Sequence, residues 1–488
     1  MNDMTAMGPS LRGQLVMSDT GATKPDGVIH SSFGLLDVIL LLALWGLVLG
    51  SSVLSLGIAA PAAFLVVTMV LVLRNPTNGL LVLLLVFYTP AVTVGVPNIF
   101  SVVVALTLGL TVVLNPASLG RLLLSSSQVL FTAMAFVLFG AVQMVLSDNM
   151  TLALPYFMKY LEGVVLLGIL VLTVKTRVDL GRVLMWWAIV AGLATIVKTI
   201  HILLGDNTVL YRMMEAKLFH DQFGLEDRIN IRHGGEIGRR FLLPGEEPNY
   251  ISTGLVFPLA LALAFHHGSK GMGKLFWTGI ACMTAIGCVG TYSRSGFLAT
   301  ALVVGFYLLR GNLVKGIVPV GVFAGAFSMA VMLIPALNKR IFGIGDAVNE
   351  GATGRFTLWK QALAMWFDSP VFGNGMSAFY DRYHGAVHNS YLQVLAETGV
   401  VGFALYLSVI IVAIQAGRKL RMGTAVAGES NDIHLSRIAL SGLFGFCFMI
   451  ATVTYQDVKL FWLALGAYSA IYFVGHATNR VEPSPGSC

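Results

Sequence analysis

Apolar runs long enough to cross a bilayer recur along nearly the whole chain, separated by brief polar punctuation. A hydrocarbon core of about 30 Å requires roughly 20 helical residues. Windows of that kind fall at 34–50, 53–73, 79–96, 99–115, 127–147, 155–174, 181–204, 249–266, 274–292, 296–310, 314–335, 396–416, 436–456 and 458–476. They predict an all-α, polytopic integral membrane protein with about 12–14 transmembrane helices, because only helices and closed barrels satisfy their backbone in lipid. Pro90 and Pro97 interrupt the early windows, so a re-entrant pair is the alternative to two full helices there. Residues 1–33 are polar and lack a short apolar core before a small-residue cleavage site. They read as a disordered cytoplasmic tail, and 477–488 as a second one. Two intervals break the rhythm, 205–248 and 337–395, and divide the spans into groups at 34–204, 249–336 and 396–476.

Composition sharpens the class. Of 488 residues, 56% are hydrophobic and 11% charged, and the net charge is +7. A soluble domain has too little surface charge in such a chain and too much apolar area to hide. The positive charge forms no basic domain, so nucleic acid is excluded as a partner and the bilayer itself is the first partner. Cys282, Cys288 and Cys447 sit within apolar runs and Cys488 is the last residue, which indicates neither a disulfide framework nor a thiolate metal site.

The cations also set orientation. With the N-terminus inside, the inner connections hold Arg74, Arg121, Lys175, Arg177, Arg182, Lys270, Lys274 and Arg310, and later Arg418, Lys419 and Arg421. The short outer turns hold only Arg294 and Lys459. That asymmetry places both termini in the cytoplasm and the two long loops outside. Long loops translocate regardless of charge, so their own arginines call for another explanation.

In the first loop, Arg228, Arg232, His233, Glu236, Arg239 and Arg240 precede LLPGEEPNY, where Pro244 to Asn249 reads as a turn into the next helix. Guanidinium forks bind phosphate oxygens bidentately and stay charged, which suits a pyrophosphate; headgroup anchoring is the plainer reading. Arg294 stands in TYSRSG between two apolar spans, ringed by the hydroxyls of Tyr292, Ser293 and Ser295. A cation at that depth is a functional candidate or a snorkelling anchor. In the second loop, GRFTLWKQALAMWFDSP places Trp359, Leu363 and Trp366 at helical spacing, with Thr353 as a cap and Pro370 as a stop. The pattern predicts a helix lying flat at the interface on that aromatic face. Arg355 in its first turn opposes the helix dipole unless an anion is present.

Further on, DRYHGAVHNSYLQVLAETG offers Asn389 or Ser390 as the cap of a helix starting near Tyr391, which puts His388 just before a helix N-terminus. The positive end of that helix disfavours imidazolium, and a neutral imidazole can accept a hydroxyl proton as a general base. A structural hydrogen bond is the plainer role. His384 and His388 have zinc-like spacing with Asp381 nearby, but Gly385 lies between them and no third ligand converges, so no metal is assigned.

GRFTLWKQALAMWFDSPVFGNG followed by HNSYLQVLAETGVVGF resembles the O-antigen ligase and polymerase superfamily of bacterial polysaccharide assembly, over roughly residues 240 to 415, and LPGEEPNY and TYSRSG resemble its other motifs. The resemblance implies an inner-membrane glycosyltransferase with its active site in the periplasm. Such an enzyme takes a glycan from undecaprenyl pyrophosphate and passes it to an acceptor glycan or glycolipid, inverting, without metal or other cofactor. By motif position His388 is the catalytic histidine and Arg294 and Arg355 bind pyrophosphate. Arg239 and Arg240 are added more loosely, and Asn389, Tyr391 and Glu397 are supporting residues. Polymerisation into O-antigen or exopolysaccharide is preferred, with ligation of finished glycan to lipid A core as the alternative. A lipid-linked glycan transporter is the reading from another class, and would predict duplicated halves with charges at mid-membrane. A structural scaffold is the plainest one.

Overall fold

A computed structural model of the chain describes residues 34–53, 59–88, 99–114, 128–204, 248–309, 353–424, 430–454 and 458–479, with a few isolated positions besides. The tails, most of the first long loop with Arg228 to Arg240, and nearly all of the window at 314–335 lie outside the described residues.

Every described element is a helix. The first ten are α1 (Leu35–Val53), α2 (Ala59–Arg74), α3 (Thr77–Tyr88), α4 (Ile99–Leu114), α5 (Gln128–Val145), α6 (Met150–Thr173), α7 (Arg177–Leu204), α8 (Pro248–Gly268), α9 (Gly271–Gly290) and α10 (Arg294–Leu309). Then follow α11 (Thr353–Asp368), the short α12 (Ala378–Tyr383), α13 (Ser390–Thr424), α14 (Ser430–Thr452) and α15 (Lys459–Asn479). Seven of them are long and apolar enough to cross a membrane, and six shorter apolar helices occupy other predicted windows. The chain is an all-α, polytopic membrane protein. Pro248 opens α8, where its missing N–H costs nothing. α3 has only 12 residues but is buried almost all round, as a uniformly apolar helix must be.

Lipid supplies no hydrophobic force between helices, so close packing must hold the bundle together. Between α6 and α15 the device is Gly163, where an added Cβ would stand 2.4 Å from the Trp462 ring. Trp462 stacks on Phe136 of α5 with centroids 5.9 Å apart, and Tyr160 and Tyr406 complete the aromatic cluster.

Polar contacts gather at two opposite ends. At one, the Asp37 carboxylate accepts from Arg74 Nε at 2.9 Å and from Arg182 at 3.2 Å, and Arg182 also donates to Asn78 at 2.8 Å. His266 and Tyr307 hydrogen-bond there at the ends of α8 and α10, and His267 meets His434 at the start of α14. Toward the other, Lys459 at the start of α15 pairs at 2.5 Å with Glu162, which lies midway along α6, beside Ser101. That second end carries α11, α12 and the turns around Arg294 and His388.

Candidate active site

Three helix N-termini build the site. Ser293 caps α10: its hydroxyl accepts from Gly296 N–H at 3.2 Å and donates to the Asn249 carboxamide at 2.6 Å. Arg294 is therefore the first residue of a helix and is exposed. Arg355 occupies the first turn of α11 and is also exposed. Asn389 caps α13, its side-chain oxygen accepting from Leu392 N–H at 3.1 Å, which leaves His388 immediately outside. In the first turns of α10 and α11 an arginine sits where the helix dipole is positive, an arrangement that favours an anion.

His388 is held from both sides. Its backbone N–H donates to Thr454 Oγ1 at 2.7 Å, and the next residue but one, Ser390, gives both its N–H and its hydroxyl to the Val453 carbonyl, at 3.1 and 2.8 Å. The residue itself adopts φ of +56°. The other described non-glycine residues with positive φ are Tyr292, Ser377 and His384, all in the segments of this same end. Left-handed backbone is costly for such residues and persists only where surrounding contacts impose it.

Helix register brings Arg294 to this end. The antiparallel α10 and α14 pack side by side, with Gly445 against Ala299 and Val303. At 1.5 Å per residue, Thr452 and Arg294 each lie about 10 Å beyond that contact in the same direction. His388, bonded to Thr454, thus shares the end with Arg294. Arg355 reaches it electrostatically: the His388 imidazole is held below its ordinary range, first by desolvation and then by the Arg355 charge. Both causes disfavour imidazolium and keep the ring a proton acceptor near neutrality.

The supporting residues divide. Asn389 is the cap. Tyr391 donates its phenol to the Cys447 carbonyl at 3.2 Å and so pins α13 to α14. Glu397 is buried, accepts from Gln393 at 3.0 Å, and lies at the far end of the helical segment from His388. Arg239 and Arg240 lie outside the described residues. Asp381 accepts from Asn149 at 2.8 Å, and no group of three or more His, Cys, Asp or Glu that could hold a metal occurs among the described residues.

Two features escape the sequence pattern. The window at 396–416 reads as a continuous span, yet α13 is interrupted at Gly399, with φ +65° and ψ −169°. The turn 370–375 fills the break: Pro370 and Val371 carbonyls accept from Val400 and Val401, Gly375 donates to Glu397, and Asn374 donates to Met365 and Ala396. A Cβ on Gly399 would stand 2.4 Å from the Val371 carbonyl oxygen. The break separates the segment that carries Asn389 and Tyr391 from the span proper. The second feature is the buried face of α11. Ala362 and Met365, with Leu358 and Trp359 beside them, pack on Phe379, Val387 and Ala396, while Phe356, Leu363 and Phe367 point outward. The Trp359–Leu363–Trp366 stripe is therefore split: Trp359 packs against this cluster, Trp366 is half-buried and Leu363 is exposed. Thr454 carries no sequence signal at all; Asn249 was visible only as part of the PNY turn.

Residues 279–407 match the O-antigen ligase family. Over 189 residues the chain is 26% identical to the exopolysaccharide production protein ExoQ of Rhizobium meliloti (strain 1021), an alignment covering 34% of this chain and 42% of that protein. The chain thus spans less than half the length of the curated relative it matches. The two findings bear out the resemblance to the O-antigen ligase and polymerase superfamily, and the matched segment runs from α9 through the Arg294 turn, α11 and His388 into α13.

Proposed function

We propose that the chain is a periplasmic-face membrane glycosyltransferase using a polyprenyl-diphosphate-linked glycan as donor. Arg294 and Arg355, with Arg239 or Arg240, hold the diphosphate. His388 removes the proton from the acceptor hydroxyl as that oxygen attacks the anomeric carbon. The carbon–oxygen bond to the diphosphate breaks on the opposite face, so the anomeric centre inverts and polyprenyl diphosphate leaves with its charge on the arginines. The imidazolium then returns its proton to water. One observation carries the reading: a histidine with a depressed pKa, pinned in left-handed backbone, lies under the field of an arginine in the first turn of a helix.

Polymerisation of repeat units is preferred over ligation to lipid A core, in keeping with an exopolysaccharide production protein among the relatives. Deletion that abolishes long chains fits polymerisation; carrier-linked long chains left unattached fit ligation. For a transporter, charges at mid-membrane and unsatisfied helix breaks would be required. The Asp37–Arg182 pair lies toward helix ends, Glu162 midway along α6 is neutralised by Lys459, and the break at Gly399 is bonded by its own turn. Purified protein given fluorescent lipid-linked oligosaccharide, with and without acceptor, tests the transferase directly. Transport into liposomes without covalent transfer overturns it.

A further inference from the structure

His388 belongs to the second long loop, whereas Arg294 opens α10. Described contacts that join them run through α14, which packs on α10 through Gly445 and meets the His388 segment just past its own end. Two residues there act differently. The Val453 carbonyl accepts the N–H and the hydroxyl of Ser390, and Ser390 is fully buried, so these bonds seat the segment. The Thr454 hydroxyl oxygen accepts from the His388 N–H at 2.7 Å, and that bond is open to solvent. An exposed hydrogen bond adds little stability, because water replaces either partner. Its consequence is directional.

His388 has φ of +56°, a conformation its own Cβ disfavours, and a fixed acceptor for its N–H favours that conformation over the extended one. Thr454 is β-branched, so its χ1 is restricted and the acceptor's position is well defined. Backbone conformation in turn limits the rotamers open to the imidazole. We infer that Thr454 is a positioning residue for transfer: its hydroxyl oxygen holds the His388 backbone left-handed and so aims the imidazole, while Thr454 itself touches neither substrate. The inference rests on the transferase reading. It adds to that reading a residue outside the segment matched to the O-antigen ligase family, 279–407.

The test uses full-length purified protein and two readouts. One is glycan transfer from fluorescent lipid-linked oligosaccharide; the other is NMR titration of the His388 imidazole in histidine-labelled protein, its signal identified by its loss in His388→Gln. Thr454→Val keeps the shape of the side chain and removes the acceptor. Its kcat falls by about tenfold to 10²-fold with KM for the donor unchanged, since a misaimed base loses rate without losing binding. The imidazole pKa rises toward its ordinary value, because a ring released from this backbone leaves both the desolvated position and the Arg355 charge that lower it. Thr454 is uncharged, so its loss does not shift the ring by charge. Thr454→Ser restores both readouts. Thr454→Ala, which adds no atom, matches Thr454→Val and serves if the latter does not fold. Thr452→Val removes a hydroxyl bonded within α14, to the Met449 carbonyl at 2.9 Å, and leaves both readouts at wild type. Wild-type kcat or an unmoved imidazole pKa in Thr454→Val and Thr454→Ala overturns the inference, as does a Thr454→Ser protein no better than Thr454→Val. A loss confined to KM overturns it in favour of direct substrate contact. Wild-type protein without transfer sinks the transferase reading, while the imidazole titration still decides this inference; a titration that ignores Thr454 in an active enzyme sinks only this inference.

Discussion

The two ends of the bundle use arginine in opposite ways. At one, Arg182 is buried and bonded to Asp37 and Asn78, with Arg74 sharing the same carboxylate. At the other, Arg294 and Arg355 sit exposed at helix N-termini, and Arg355 acts on a histidine whose protonated form it repels. A charge that serves stability finds its opposite within the chain, because burial without a partner costs several kcal/mol. Arg355, placed against a helix dipole and acting on an ionisable base, follows a different logic, one that an anion arriving from outside would satisfy. The contrast makes the second end the place to look for chemistry, even though the first has the better hydrogen bonds.

The largest expected effect is at the second end. His388→Ala lowers glycan transfer by about 10² to 10⁴, with membrane insertion and thermal stability preserved, as measured on purified protein with lipid-linked donor. The mirror-image test is Arg182→Met. It leaves Asp37 with only its half-exposed partner Arg74, and costs stability toward the low end of about 3–5 kcal/mol, read from a shift in unfolding midpoint. Transfer per folded molecule stays unchanged. Gly399→Ala joins the two kinds of effect: it forces a Cβ into backbone reserved for glycine and against the Val371 carbonyl, costing about 1–3 kcal/mol and loosening the turn at 370–375. Its readout is proteolysis of that turn alongside the melting midpoint.

The smallest effect is the most specific. His388 is depressed below 6.5, so the free base is the populated form at neutral pH and the acid limb of kcat/KM falls below that value. Arg355→Gln removes one of the two causes. The imidazolium is then repelled less, the pKa rises, and the acid limb of the residual activity moves to higher pH. A limb that stays in place would show that Arg355 acts only on the donor, and a shift the other way would contradict the electrostatics.

How much of this was legible beforehand depends on the range of the interaction concerned. Spans show in the chain because hydropathy is a property of a contiguous window, and Asn389 shows as a cap because its bond closes over three residues. The interruption at Gly399 does not, because the partners that make it tolerable lie in the turn 370–375, and a helical pattern runs straight through the glycine. The burial of α11 is decided over the same range. Spacing finds an apolar stripe, but which stripe is buried depends on the surface offered by α13.

Local composition and periodicity alone were enough for a membrane-embedded helical bundle, since hydropathy follows from neighbours close in the chain. Only the packed structure decided that His388 is anchored to Thr454 and that α14 carries it level with Arg294. Those relations join residues up to about a hundred positions or more apart, through the antiparallel register of neighbouring helices, which side-chain fit sets and linear pattern does not encode.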